Sequence, residues 1–116
     1  MSLITIVQGE DRTLTFTLQE VDANGVTTYM DLTGVTEIEV RAAAAAGGYI
    51  SFKKSATKVA VLDTLGGVFK VTINDTESAL LKVAPDQNLE VIVDIGTTRR
   101  IAQLLKSITV VRRLFV

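Results

Sequence analysis

The sequence predicts an all-β antiparallel sandwich of about seven to nine short strands, with one short helical turn near residues 75–82. Three observations predict it. Apolar and polar residues alternate with a period of two in several short runs, turn signals separate those runs, and threonine, valine and isoleucine dominate them. No linker and no internal repeat divides the chain, so residues 1–116 read as a single domain.

The elements follow in order. Residues 3–7, Leu-Ile-Thr-Ile-Val, form a first strand closed by Gln8-Gly9-Glu10-Asp11. Leu14, Phe16 and Leu18 then alternate with Thr13, Thr15 and Thr17, which gives one buried face and one threonine face. Asp22-Ala23-Asn24-Gly25 turns this strand into residues 26–30 as a hairpin, because Asn-Gly tolerates positive φ. After the Asp31-Leu32-Thr33-Gly34 turn, Ile38 and Val40 point one way and Glu37, Glu39 and Arg41 the other.

The alanine tract 42–46 with Gly47-Gly48 is too short for an independent helix and reads as a loop with room for a helical turn. Strands resume at 49–53 and, briefly, at 58–61. Gly66-Gly67 precedes the second clear alternation, with Phe69, Val71 and Ile73 inward and Val68, Lys70 and Thr72 outward. Asn74 or Asp75 caps the helical turn, Glu77 sits in its first turn, and Pro85 lies past its end. Residues 89–95, then 99–105 and 107–112, supply a penultimate strand and the last one or two.

Composition narrows the function classes. The chain has no cysteine and no histidine, which removes disulfides, thiolate metal sites and the commonest neutral-pH base and metal ligand. A net charge of −1 provides no long-range attraction to phosphates or anionic lipid. No apolar run reaches the ~20 residues that span a bilayer, and the start lacks the pattern of a signal peptide. The expectation is therefore a protein made in the cytoplasm that binds no nucleic acid and no membrane.

Each candidate for chemistry has a plainer structural explanation. Glu37 and Glu39 share a strand face and invite a glycosidase or cation reading, but nothing near them in sequence supplies the apolar cleft that raises a carboxyl pKa. They read as a solvated face. The Asp22 turn places Thr27 and Thr33 where a calcium loop needs Gly and Glu. Asp75 and Glu77 serve helix capping. Ser51, Ser55, Ser78 and Ser107 lack a histidine base, and no motif joins them to Lys53 or Lys54. Gly47-Gly48 and Gly66-Gly67 lack the flanks of a phosphate loop. Arg99-Arg100 and Arg112-Arg113 read as charges flanking strands. The terminal Leu114-Phe115-Val116 reads as strand packed on the core or as a docking tail. No catalytic, cofactor-binding or metal-binding residue is assigned.

In sum, residues 8–18, the Asn-Gly turn, residues 31–36, residues 67–73, the 75–81 turn, a central strand and Ser107-Ile108-Thr109-Val110 occur in a set order. That order resembles the small β-sandwich domains of tailed-phage structural proteins, in particular the N-terminal domain of phage baseplate upper proteins. Ser107 stands where that pattern has glycine. The resemblance implies an immunoglobulin-like sandwich located in the virion (tail, baseplate or head decoration), with other virion proteins as partners in a homo-oligomer or hetero-assembly. It implies no enzyme activity and no cofactor. Loops 42–48 and 83–88 are the expected contact segments. The alternative is a free-standing immunoglobulin-like module for a carbohydrate or small ligand, to which the absence of tryptophan is adverse.

Overall fold

Alternation decides which face of each strand leaves water, and two sheets close their apolar faces on one another. The computed structural model describes residues 4–21 and 23–112, with the side chains of residues 21 and 100–107 outside that description. The expectations placed on residues 1–3, on Asp22, on Arg113 and on the apolar tail 114–116 lie outside the described residues, as do those on the side chains of Arg100 and Ser107.

Ten strands are described: β1 (Ile4–Val7), β2 (Arg12–Thr17), β3 (Gln19–Val21), β4 (Thr27–Tyr29), β5 (Val35–Ala43), β6 (Tyr49–Lys53), β7 (Val59–Asp63), β8 (Val68–Ile73), β9 (Ala84–Ile95) and β10 (Thr98–Val111). A 3₁₀ turn, Lys54–Ala56, leads from β6 to β7, and helix α1 (Asp75–Ala79) stands between β8 and β9. One sheet has the order β1-β10-β9-β5-β6, a second β2-β8-β7, and β3 pairs with β4 alone.

This is the immunoglobulin strand order. β2, β8 and β7 stand as B, E and D, and β10, β9, β5 and β6 as G, F, C and C′. β1 does not join B. It pairs in parallel with β10, from Ile4 opposite Ile108 to Val7 opposite Val111, while the other ladders are antiparallel.

The core takes the inward residues of both sheets. Ile6, Leu14, Phe16, Ile38, Val40, Phe52, Phe69, Val71, Val91 and Val93 are all buried. Antibody domains tie B to F with a disulfide beside a tryptophan; this chain has neither residue type. Aromatic packing stands in, with the Phe16 and Phe69 rings 5.8 Å apart and tilted by 39°.

Four sequence expectations change. The second strand is split, since β2 pairs with β8 while β3 pairs with β4, which raises the strand count to ten. The alanine tract is mostly strand: Ala42 and Ala43 pair with Ile50 and Tyr49, and Ala44 bridges to Leu81, so cross-strand pairing overrides helix propensity. Helix α1 ends at Ala79. Segment 83–88 is largely the start of β9, not a loop. There β9 meets β10 but runs beyond the end of its β5 pairing, which leaves one side open and tolerates Pro85. Asp86 sits at φ 47, and its N–H donates to Thr109 Oγ1 at 3.1 Å where the register with β10 shifts. The final segment is one strand with a register shift between Gln103 and Ser107, the simpler of the two arrangements expected.

Candidate functional site

Two regions gather the polar and apolar groups that the core does not absorb. The first is the outer face of the five-stranded sheet. Period-two alternation along β5 puts Glu37, Glu39 and Arg41 on this face, as expected, and pairing adds Ser51 from β6 and Glu90 from β9. Glu39 accepts from Ser51 Oγ at 2.6 Å and from Arg41 Nε at 3.0 Å. Arg41 also reaches Glu90 at 3.3 Å and lies 4.3 Å over the Tyr49 ring. Glu37 accepts from the backbone N–H groups of Ile38 and Ser55 at 3.1 and 3.0 Å. Arg99 holds Asp94 with two bonds, of 2.8 and 3.2 Å.

The face is therefore half-buried and hydrogen-bonded in three separate groups, not the solvated one predicted. Burial pushes the Glu37 carboxyl up, but the hydrogen bonds from Ser55, with those from Ile38 and Lys54, hold it below its ordinary 4.5. The Ser51 hydroxyl, acting against burial and helped by Arg41, holds Glu39 below the same value. Arg99 lowers Asp94 by hydrogen bonding. Carboxyls held low stay ionised at neutral pH and cannot donate a proton to a leaving group. Their lone pairs are already engaged. The bonds of this face tie β5 to β6, β9 and the turn after β6.

It carries a pH prediction. A carboxyl with a depressed folded-state pKa contributes stability above its unfolded pKa and loses it as pH falls through the folded value. Melts from about pH 7 to about pH 3 are expected to show stability falling once pH drops below the ordinary 4.5 of Glu37 and Glu39, with a shallower fall in Glu39→Gln.

The serines and the acidic turn resolve in the same way. Ser78, fully buried, accepts from Gly9 N–H at 3.0 Å, and its hydroxyl lies 2.7 Å from Glu10 O, pinning the β1–β2 turn to α1. Ser78→Ala is expected to destabilise the fold by about 1–3 kcal/mol in urea titration, because Gly9 N–H loses its acceptor. Asn74 is the cap: its Oδ1 accepts from Glu77 N–H at 2.7 Å, and Glu77 returns the bond to Asn74 N–H at 3.0 Å. Lys58 pairs with Glu77 at 2.6 Å, and Asp11 accepts from Asp75 N–H at 2.7 Å. Ser51 donates a hydroxyl hydrogen bond to Glu39, and the Ser55 main-chain N–H donates to Glu37. Among the described residues no group of three His, Cys, Asp or Glu side chains is placed to hold a metal. No helix among them is long and apolar enough to cross a membrane.

The second region is one pole of the sandwich. Leu32 N–H donates to Thr64 O at 2.8 Å, and Leu18 joins Gly67 O to Met30 N–H with two bonds of 2.9 Å. These bonds clamp the β7–β8 turn against the end of β4. Leu65 is 71% exposed there, and Tyr29 and Leu62 are 61% and 54% exposed. The sequence reading did not single these residues out. Leu65, a leucine inside a Gly-rich turn, was the available signal, since a turn has no core face to justify it. At the other pole Ala45 N–H donates to Leu80 O and Lys82 N–H to Ala43 O, leaving Leu80 and Val83 exposed beside loop 44–48.

Compared with protein-family models and with curated proteins, the chain gives no match.

Proposed function

We propose that this chain is a non-enzymatic structural module of a phage or prophage virion, in the tail, baseplate or head decoration, acting through protein–protein contacts. The observation that carries the contact reading is the pole where Tyr29, Leu62 and Leu65 stand exposed on a sandwich whose acids and bases largely neutralise each other. Apolar anchors on a rigid, nearly neutral body suit packing by shape more than electrostatic steering. The virion assignment rests on the sequence resemblance, with which the immunoglobulin strand order agrees. For the carbohydrate reading, Tyr29 and Tyr49 are both more than half exposed, and Arg41 already lies over one face of the Tyr49 ring.

Mass spectrometry of purified particles tests the proposal. The chain is expected in particles of the phage or induced prophage that encodes it, at a fixed copy number. Its absence from them, or a gene lying among metabolic genes with no tail or head genes nearby, would overturn the virion reading.

A further inference from the structure

The three-stranded sheet ends on β2, and that edge is open. In an immunoglobulin sandwich of the ABED type a strand A lies beside B; here β1 has gone to β10 instead. Leu18 donates its N–H to Gly67 O at the start of β8, and Thr72, opposite Thr13, turns its N–H away to Lys58 O on the β7 side, so Leu18 faces β8 and Thr13 does not. Alternation then turns the N–H and C=O groups of Thr13, Thr15 and Thr17 to the opposite, open side. Among the described residues no backbone hydrogen bond reaches them there.

The other edge strands of the two larger sheets are defended. β1 has four residues, β6 ends in Lys53 and the Lys54 turn, and β7 is broken by a register shift between Val61 and Asp63. β2 has six residues in unbroken register with β8, no proline, and a single charge, Arg12, at its start. An edge of this kind is a template for another strand.

We infer that β2 pairs antiparallel with β2 of a second copy of this chain, about a two-fold axis at Thr15. The strand is self-complementary in that register. Thr15 meets Thr15, and Thr13 meets Thr17, so all three outward residues exchange main-chain bonds, about six in total. The outer face becomes a row of threonine pairs, a favoured cross-strand combination. On the inner face Leu14 meets Phe16, and no like charges are opposed. The result is one six-stranded sheet shared by two copies, an isologous interface. A heterologous strand would need its own match to this row; a second copy supplies it.

The chain has no cysteine, so an introduced thiol reports the register without ambiguity. Hydrogen-bonded partners lie about 5.5 Å apart at Cα, inside the disulfide range of roughly 4.4–6.8 Å. Thr15→Cys is expected to form a disulfide-linked dimer on mild oxidation. Thr13→Cys and Thr17→Cys are expected to fail singly and to cross-link when mixed. Light scattering should show a dimer for the native chain, and Thr15→Pro should weaken it at least about tenfold by removing paired bonds. Thr15→Pro keeps the bonds to β8, since Thr15 N–H does not face that strand, so the monomer should still fold with a modest fall in melting temperature.

A native chain that stays monomeric to about 1 mM, or equal disulfide yield at all three positions, would overturn the pairing. So would a dimer indifferent to Thr15→Pro in a chain that still folds. The virion reading has its own test, because contacts through Leu62 and Leu65 do not use β2.

Discussion

Replacing Gly67 by alanine is expected to destabilise the fold by about 3 kcal/mol or more, the combined effect of left-handed strain and main-chain overlap. Gly67 sits at φ 67, where an L residue loses roughly 1–2 kcal/mol. A Cβ there would lie 2.7 Å from Leu18 O and 2.8 Å from Met30 O. Both are backbone atoms, and the main-chain bonds of Leu18 to Gly67 and Met30 fix their positions. Neither can retreat without separating the β3–β4 hairpin from the start of β8. The neighbouring Gly66 is the control. A Cβ at that position would meet the carboxylate end of Asp63, which can swing away, so Gly66→Ala should cost about 1 kcal/mol or less. Urea titrations of the two variants should separate them clearly, and similar midpoints would refute the account of the clamp.

Phe16→Ala and Phe69→Ala are each expected to cost about 3–5 kcal/mol, a large share of the roughly 5–15 kcal/mol that such a domain holds. Phe16 and Phe69 are directly opposed on β2 and β8, and both rings are buried between the sheets. No disulfide backs them up. Because each ring is the other's neighbour, the double variant should cost less than the sum of the two singles. Additive losses measured by thermal or chemical denaturation would mean that the rings pack against other residues more than against each other.

Much of the fold was legible because the inward alternations are strict. Leu14, Phe16 and Leu18, then Phe69, Val71 and Ile73, all face the core as their period demands. Asn74 and Glu77 announced α1 by their spacing. Partner choice was not legible. Nothing local in Ile-Thr-Ile-Val says that β1 will lie beside a strand more than a hundred residues later, and β5 ran into the alanines because Ile50 and Tyr49 were there to pair with them. The contact surface was legible in part. Glu37 and Glu39 were placed on one face from sequence, but their bonds to Ser51 and Ser55 depend on the β5–β6 pairing and the turn after it. The segments that carry Tyr29, Leu62 and Leu65 are drawn to one pole by hydrogen bonds between residues distant in the chain.

The parallel alliance of β1 with β10 also sets how the domain carries load. Tension applied between Ile4 and Val111 draws the two strands along their length in opposite senses, so the bonds from Ile4–Ile108 to Gln8–Val111 resist together. An antiparallel end pair would unzip rung by rung under the same pull. In this geometry the two terminal strands act as a shear clamp, which guards the interior against a stretching force.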